Sequence, residues 1–149
     1  MKPLIVLIIS FLFSITILKL LGGNYDFQLA GRISMAIMLL FTSIGHFKFL
    51  DGMKLMLPDI LPQKKLIIYT TGILEIGAAI LLLFNESHKI AACFIILLFI
   101  FMLPANINAT LKHVDHENAT YNGKGVKYLW FRIPLQVFFI LWVYFSSYG

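Results

Sequence analysis

Charge is scarce in this sequence. Of its 149 residues, 13% are Asp, Glu, Lys or Arg, about half the fraction a soluble domain carries. So few charges cannot clothe a water-soluble surface of this size. Cysteine is nearly absent. Cys93 stands alone, which excludes an intramolecular disulfide and a Cys-x-x-Cys redox pair. It lies in an apolar run, where a cysteine is ordinarily a small buried residue. There is no Walker loop, no Gly-rich dinucleotide fingerprint and no nucleophile elbow. No low-complexity tract, soluble linker or internal repeat divides the chain, which reads as one domain over residues 1–149.

What remains is hydrophobicity. Apolar residues make up 60% of the chain, and the mean hydropathy is +0.88. A helix needs about 20 mostly apolar residues to cross a bilayer. Five stretches meet that need, at about 3–21, 29–50, 66–84, 90–111 and 126–145. The expectation is an all-α, polytopic transmembrane helical bundle. The first stretch follows a short basic start, Met1-Lys2, but no Ala-x-Ala-like cleavage site comes after it, so it reads as a retained anchor. The segment 51–65 carries Pro58 and Pro62, which argue for an interfacial loop without a continuous helix. The segment 112–127 is polar, with Asn122-Gly123 and Gly125 as turn signals.

The net charge of +5 is a matter of topology and does not point to nucleic acid. Lys2, Lys48, Lys54, Lys64, Lys65, Lys112, Lys124 and Lys127 make eight basic residues on one side of the five spans; Lys19, Arg32 and Lys89 make three on the other. The positive-inside rule puts the first side in the cytoplasm, with the N-terminus inside and the C-terminus outside.

Polar side chains within the spans carry the functional signal, because a charge at the bilayer centre costs about 2.5–3.5 kcal/mol on insertion scales. Glu75 lies near the middle of the third stretch, with Thr71 and Gly72 on its face. His46 lies a turn inside the second, with Thr42 one turn before it. Asn106 and Asn108 follow Pro104, which is placed to kink the fourth helix and free a carbonyl. Arg132 and, four residues on, Gln136 share a face of the fifth. Convergence of His46, Glu75, Asn106 and Arg132 on one interior cavity, with Glu75 and Arg132 paired, is the expected arrangement. The competing expectation is that these groups only lock helices together by hydrogen bonds worth about 0.6–2 kcal/mol. Arg32 sits near the outer end of its span, where it can snorkel to the surface. His113, Asp115, His116 and Glu117 fit no firm metal template, so no metal site is expected. Haem with two axial histidines is not expected either, since His46 is the sole histidine inside a span.

The order of these motifs resembles a known family. Gly31-Arg32 precedes Phe41 to Phe47 (FTSIGHF). Met56 to Pro62 (MLPDILP), Tyr69 to Glu75 (YTTGILE), Leu103 to Asn108 (LPANIN) and Leu129 to Gln136 (LWFRIPLQ) follow. From about Leu29 to Tyr144 the chain is similar to the DoxX-like family of small bacterial membrane proteins. The resemblance implies a four-helix core over 25–149, an added N-terminal helix over 1–24, and residence in the bacterial cytoplasmic membrane. It also implies an association with redox systems, shared by some relatives. It marks Arg32, His46, Glu75, Asn106 and Arg132 as site candidates.

Three readings follow. In the first, the bundle is redox-associated and binds a quinone-like or other lipophilic molecule. Glu75 exchanges protons, His46 relays them, and Arg132, Asn106, Gln136, Asn108 and Arg32 hold a polar head. In the second, it is an intramembrane acid–base enzyme of isomerase or hydratase type. In the third, it is a scaffold for a membrane or redox partner protein.

Overall fold

The computed structural model describes residues 2–149, so the Met1 half of the basic start lies outside the described residues. Six α-helices follow one another: α1 Lys2–Gly22, α2 Phe27–Lys48, α3 Leu50–Met56, α4 Lys64–Leu83, α5 His88–Leu111 and α6 Leu129–Tyr148, with a single 3-10 turn at Val126–Tyr128 before the last. Among the described residues the β structure amounts to one isolated bridge, Asp115 to Thr120. The fold is therefore an all-α helical bundle, and five of its helices are long and apolar enough to cross a membrane.

Local chemistry sets the helix ends. Asp26 caps α2 by accepting a hydrogen bond from the Leu29 amide at 2.9 Å, which satisfies one of the open N–H groups of the first turn. The turn before it uses Gly23 at φ +70°, a conformation that favours glycine. The segment 51–65 departs from expectation. The chain breaks at Phe49 and then forms the short helix α3. No proline lies within 50–56. Pro58 acts one step later, holding Leu57 extended at ψ 140° because the residue before a proline is pushed out of the helical region.

Helices α2, α4, α5 and α6 form a closed ring, each packed on the two beside it, and α1 lies outside the ring, chiefly against α2. Phe11 of α1 reaches Trp142 of α6 edge-on, with ring centroids 5.0 Å apart. α2 is the central element, with half of its span buried. Its inner face is rich in small residues (Ala30, Gly31, Ser34, Ala36), and it meets Ala78 and Ala79 of α4. Small side chains let backbones approach closely, which is how membrane helices associate without a hydrophobic drive between them. Leu7, Met35, Met38, Leu39, Leu82 and Ile95 fill the core, and many other large apolar residues point outward: Ile9 and Phe13 on α1, Ile44 on α2, Ile73 on α4, Phe101 on α5 and Val137 on α6. An exterior of this kind fits lipid, whereas a soluble monomer rarely exposes such a belt.

The two ends of the ring differ. At one end, α3 and the loops 57–63 and 112–125 build a polar cap. The Gly52 backbone lies directly under the His116 carbonyl, Asn108 donates to the Met56 carbonyl at 2.7 Å, and Lys2 pairs with Glu117 at 2.6 Å. At the other end, the Tyr148 hydroxyl donates to the Lys89 carbonyl at 2.6 Å, and Trp142 Nε1 donates to the Gly31 carbonyl at 3.2 Å.

Candidate functional site

The polar site candidates inside the bundle fall into separate hydrogen-bonded groups, one joining α2 to α4 and one joining α5 to α6, with Arg32 apart from both. The first joins α2 to α4. The Glu75 carboxyl, 2% exposed, faces α2. Its Oε2 lies 3.1 Å from Thr42 Oγ1 and 3.6 Å from His46 Nδ1. Thr42 and His46 are one turn apart, so both reach the same carboxyl oxygen. The Thr42 hydroxyl also lies 3.0 Å from the Leu39 carbonyl, and His46 Nδ1 lies 3.2 Å from the Thr42 carbonyl. Glu75 Oε1 and His46 Nε2 have no hydrogen-bond partner among the described residues.

This arrangement accommodates two protonation states. When Glu75 is ionised, the Thr42 hydroxyl donates to Oε2. When Glu75 carries a proton on Oε2, that proton is donated to Thr42 Oγ1, whose own hydrogen turns to the Leu39 carbonyl. His46 Nδ1 faces two acceptors, a carbonyl and a carboxyl, which favours the tautomer with hydrogen on Nδ1. Nε2 is then left as the basic nitrogen.

The second group joins α5 to α6. Asn106 Nδ2 donates to Gln136 Oε1 at 3.2 Å, Gln136 Nε2 donates to the Phe99 carbonyl, and Arg132 Nη1 donates to the Asn106 carbonyl at 3.4 Å. The carbonyl freed directly by Pro104 is that of Ile100, four residues before it; Gln136 takes the neighbouring one. Arg132 lies over the Tyr128 ring, 5.5 Å from its centroid, and beside the cap. Burial, and after it the Arg132 guanidinium, hold the His116 imidazole below its usual range.

Glu75 and Arg132 form no ion pair. The physical reason is the ring itself: α4 and α6 stand diagonally and are not packed neighbours. The carboxyl's ionisable partner is His46. Arg32 also departs from expectation. It is buried, 8% exposed, and its head reaches the turn after α4, with Nη1 and Nη2 both 3.3 Å from Asn85 Oδ1. Asn108 is committed to the end of α3 through the Met56 carbonyl. The cap residues His113, Asp115, His116 and Glu117 serve the loop's own geometry: the Asp115 carboxylate accepts from the Glu117 amide at 3.0 Å and from Asn118 Nδ2 at 2.8 Å. Among the described residues no group of three or more His, Cys, Asp or Glu gathers as a metal would need.

Two functional partners were not singled out from sequence. Thr42 was legible as the residue one turn from His46, but its bond to Glu75 depends on the α2–α4 register. Asn85 lies in the turn after α4 and carries no sequence signal of its role.

Two lipid-facing grooves of about 400 Å³ lie between α1 and α6. One is lined by Phe11, Phe27, Gly31, Trp142 and Phe145, the other by Leu4, Ile8, Trp130 and Pro134, and neither touches Glu75 or His46.

No curated protein and no solved structure matches the chain. Residues 35–147 match the family described as Domain of unknown function (DUF8561), a match that takes in most of α2 and all of α3 to α5, including the Glu75–His46 pair. With about three-quarters of its length matched, the chain belongs to the DUF8561 family.

Proposed function

We propose that this is a proton-exchanging protein of the bacterial cytoplasmic membrane, in which Glu75 and His46 serve a quinone-like or similar lipophilic small molecule. The observation that carries this reading is the buried carboxyl–imidazole pair at 3.6 Å, joined on one side by Thr42 and free at Glu75 Oε1 and His46 Nε2. Ionisable groups inside a bilayer default to functional sites because they are costly to place there. This pair is also arranged to take and give protons, since hydroxyl rotation satisfies Oε2 in either state. The similarity to DoxX-like proteins supports the redox association. The excess of lysine at the capped end supports a cytoplasmic cap.

The adjacency of Glu75 and His46 equally favours an acid–base enzyme, since general acid–base chemistry needs both groups within reach of one ligand. The α5–α6 group supports the scaffold reading only for itself. Its bonds engage the Gln136 side chain at both ends and fasten two helices.

The test uses the purified protein in detergent and in vesicles. Ubiquinone or menaquinone is expected in the lipid extract. Glu75→Gln, which keeps the shape and removes the exchangeable proton, is expected to slow quinone-linked proton transfer by roughly a hundredfold or more with an unfolding midpoint close to wild type. Should extraction and titration find no quinone, while Glu75→Gln merely lowers the midpoint, the pair is a helix lock and the proposal fails. Turnover of a lipophilic carbonyl or alkene, without quinone, would favour the enzyme instead.

A further inference from the structure

The end of the ring opposite the cap holds a charge that the protein does not balance. Arg32 is buried at 8% exposure, and no carboxylate forms an ion pair with it among the described residues. Asp26 is engaged as the cap of α2. Glu86, next to Asn85, is exposed and forms no ion pair with Arg32. Among the described residues the only acceptor of Arg32 is the neutral amide oxygen of Asn85, which takes both Nη groups at 3.3 Å, and Arg32 Nε is buried without a partner. One other buried polar atom lacks a partner among the described residues, Ser147 Oγ. It lies on α6, one residue beyond Ser146, which packs on Gly31.

A buried cation ordinarily has a counter-charge, and unpaired buried charges are expensive. Guanidinium is also the group best matched to two oxygens of one oxyanion, through its planar fork of donors. Here the Asn85 amide oxygen fills the place in that fork which an oxyanion oxygen takes. Asn85 lies in the exposed turn between α4 and α5, so its side chain can swing aside and present Nδ2 as a further donor. Arginine and the amide Nδ2 are donors, which selects an acceptor carrying negative charge.

We propose that this end of the bundle is an oxyanion site, in which Arg32, with Asn85, binds a phosphate or carboxylate group. The site lies about ten residues along α2 from Thr42, roughly 15 Å at 1.5 Å per residue, and is separate from the Glu75–His46 pair. The same chemistry is offered by a phospholipid headgroup and by a soluble anion.

The experiment separates these sources. Full-length protein is purified in an uncharged detergent or placed in phosphatidylcholine bilayers. Its unfolding temperature is followed while inorganic phosphate is titrated, and separately while phosphatidylglycerol is added to the bilayer. A saturable rise is expected in wild type, with at least roughly tenfold weaker apparent affinity in Arg32→Gln, the loss expected for a hydrogen bond to a charged group. A response to phosphate assigns a soluble anion, and a response to phosphatidylglycerol alone assigns a lipid headgroup. The lysines of the cap are unchanged in the variant, so their general attraction for anions cancels in the comparison. Should Arg32→Gln not fold, Arg32→Lys keeps the charge without the fork and is expected to weaken binding as well. No response to either probe in wild type, or an equal response in the Arg32 variant, overturns the proposal.

Discussion

At Gly31 the backbones of α2 and α6 come so close that a methyl group would lie 2.7 Å from Ser146 Cβ. Ser146 is buried on a helix pinned nearby by the Trp142 hydrogen bond to the Gly31 carbonyl, so it has little room to move. Gly31→Ala is therefore expected to cost about 1–3 kcal/mol, the usual range for overpacking. Ser146→Gly in the same chain is expected to restore most of it, a coupling that a double-mutant cycle measures directly. Unfolding in a graded detergent mixture reads both values, and equal midpoints for wild type and Gly31→Ala would show that the contact is loose. Gly31 was visible in the sequence as part of the Gly-Arg pair, and its closeness to Ser146 was not.

Among the elements, the cap is the one most exposed to solution conditions. Asp59 ties it together, pairing with Lys64 at the start of α4 at 3.0 Å and with Lys112 at the end of α5 at 2.6 Å. These two lysines lower the Asp59 carboxyl from its ordinary 3.8 to about 2. Its depressed value means that the linkage is fully present above about pH 4 and is lost as pH falls through about 2. His116 acts in the same direction from higher pH. Burial and Arg132 lower it from 6.5, so its protonation below that value opposes the closed cap. The protection factors of amides in 52–63 and 113–120, exchange relative to the unstructured rate at each pH, are thus expected to fall in two stages on acidification. Asp59→Asn should abolish the lower stage, and His116→Gln the upper. Protection factors unchanged from about pH 7 to about pH 2 would refute this account. The loop's prolines were readable in the sequence, but the pairing of Asp59 with Lys112 joins residues 53 positions apart and has no local signature.

For the whole molecule, the proposed orientation rests on which end of the ring carries the cap and its lysines. Lys2 meets Glu117 of the cap, so α1 begins at the basic end, and α6 finishes at the opposite one. A reporter fused after Gly149 is expected to be active outside the cytoplasm, and one inserted at Gly123 inside it. Replacing Lys54, Lys64 and Lys65 by Gln should weaken that bias, as the positive-inside rule weighs lysines in short loops near span ends. Reporters active on the reverse sides would remove the support for a cytoplasmic cap.

Membrane character and the five spanning helices followed from the sequence alone, because spanning a bilayer demands about 20 apolar residues in a row and composition shows that directly. The short helix α3 did not, and the ring of α2, α4, α5 and α6 with α1 outside it is a matter of packing. The polar residues themselves stood out against their apolar surroundings. Which of them meet was decided only by the tertiary structure. A helix turns about 100° per residue, so partners depend on the rotation and neighbours of each helix, and a list of residues carries neither. Packing α2 against α4 gave Glu75 the company of Thr42 and His46. Placing α6 across the diagonal kept Arg132 from pairing with it, and burying Arg32 against Asn85 left a charge without an ion pair at the far end of the bundle.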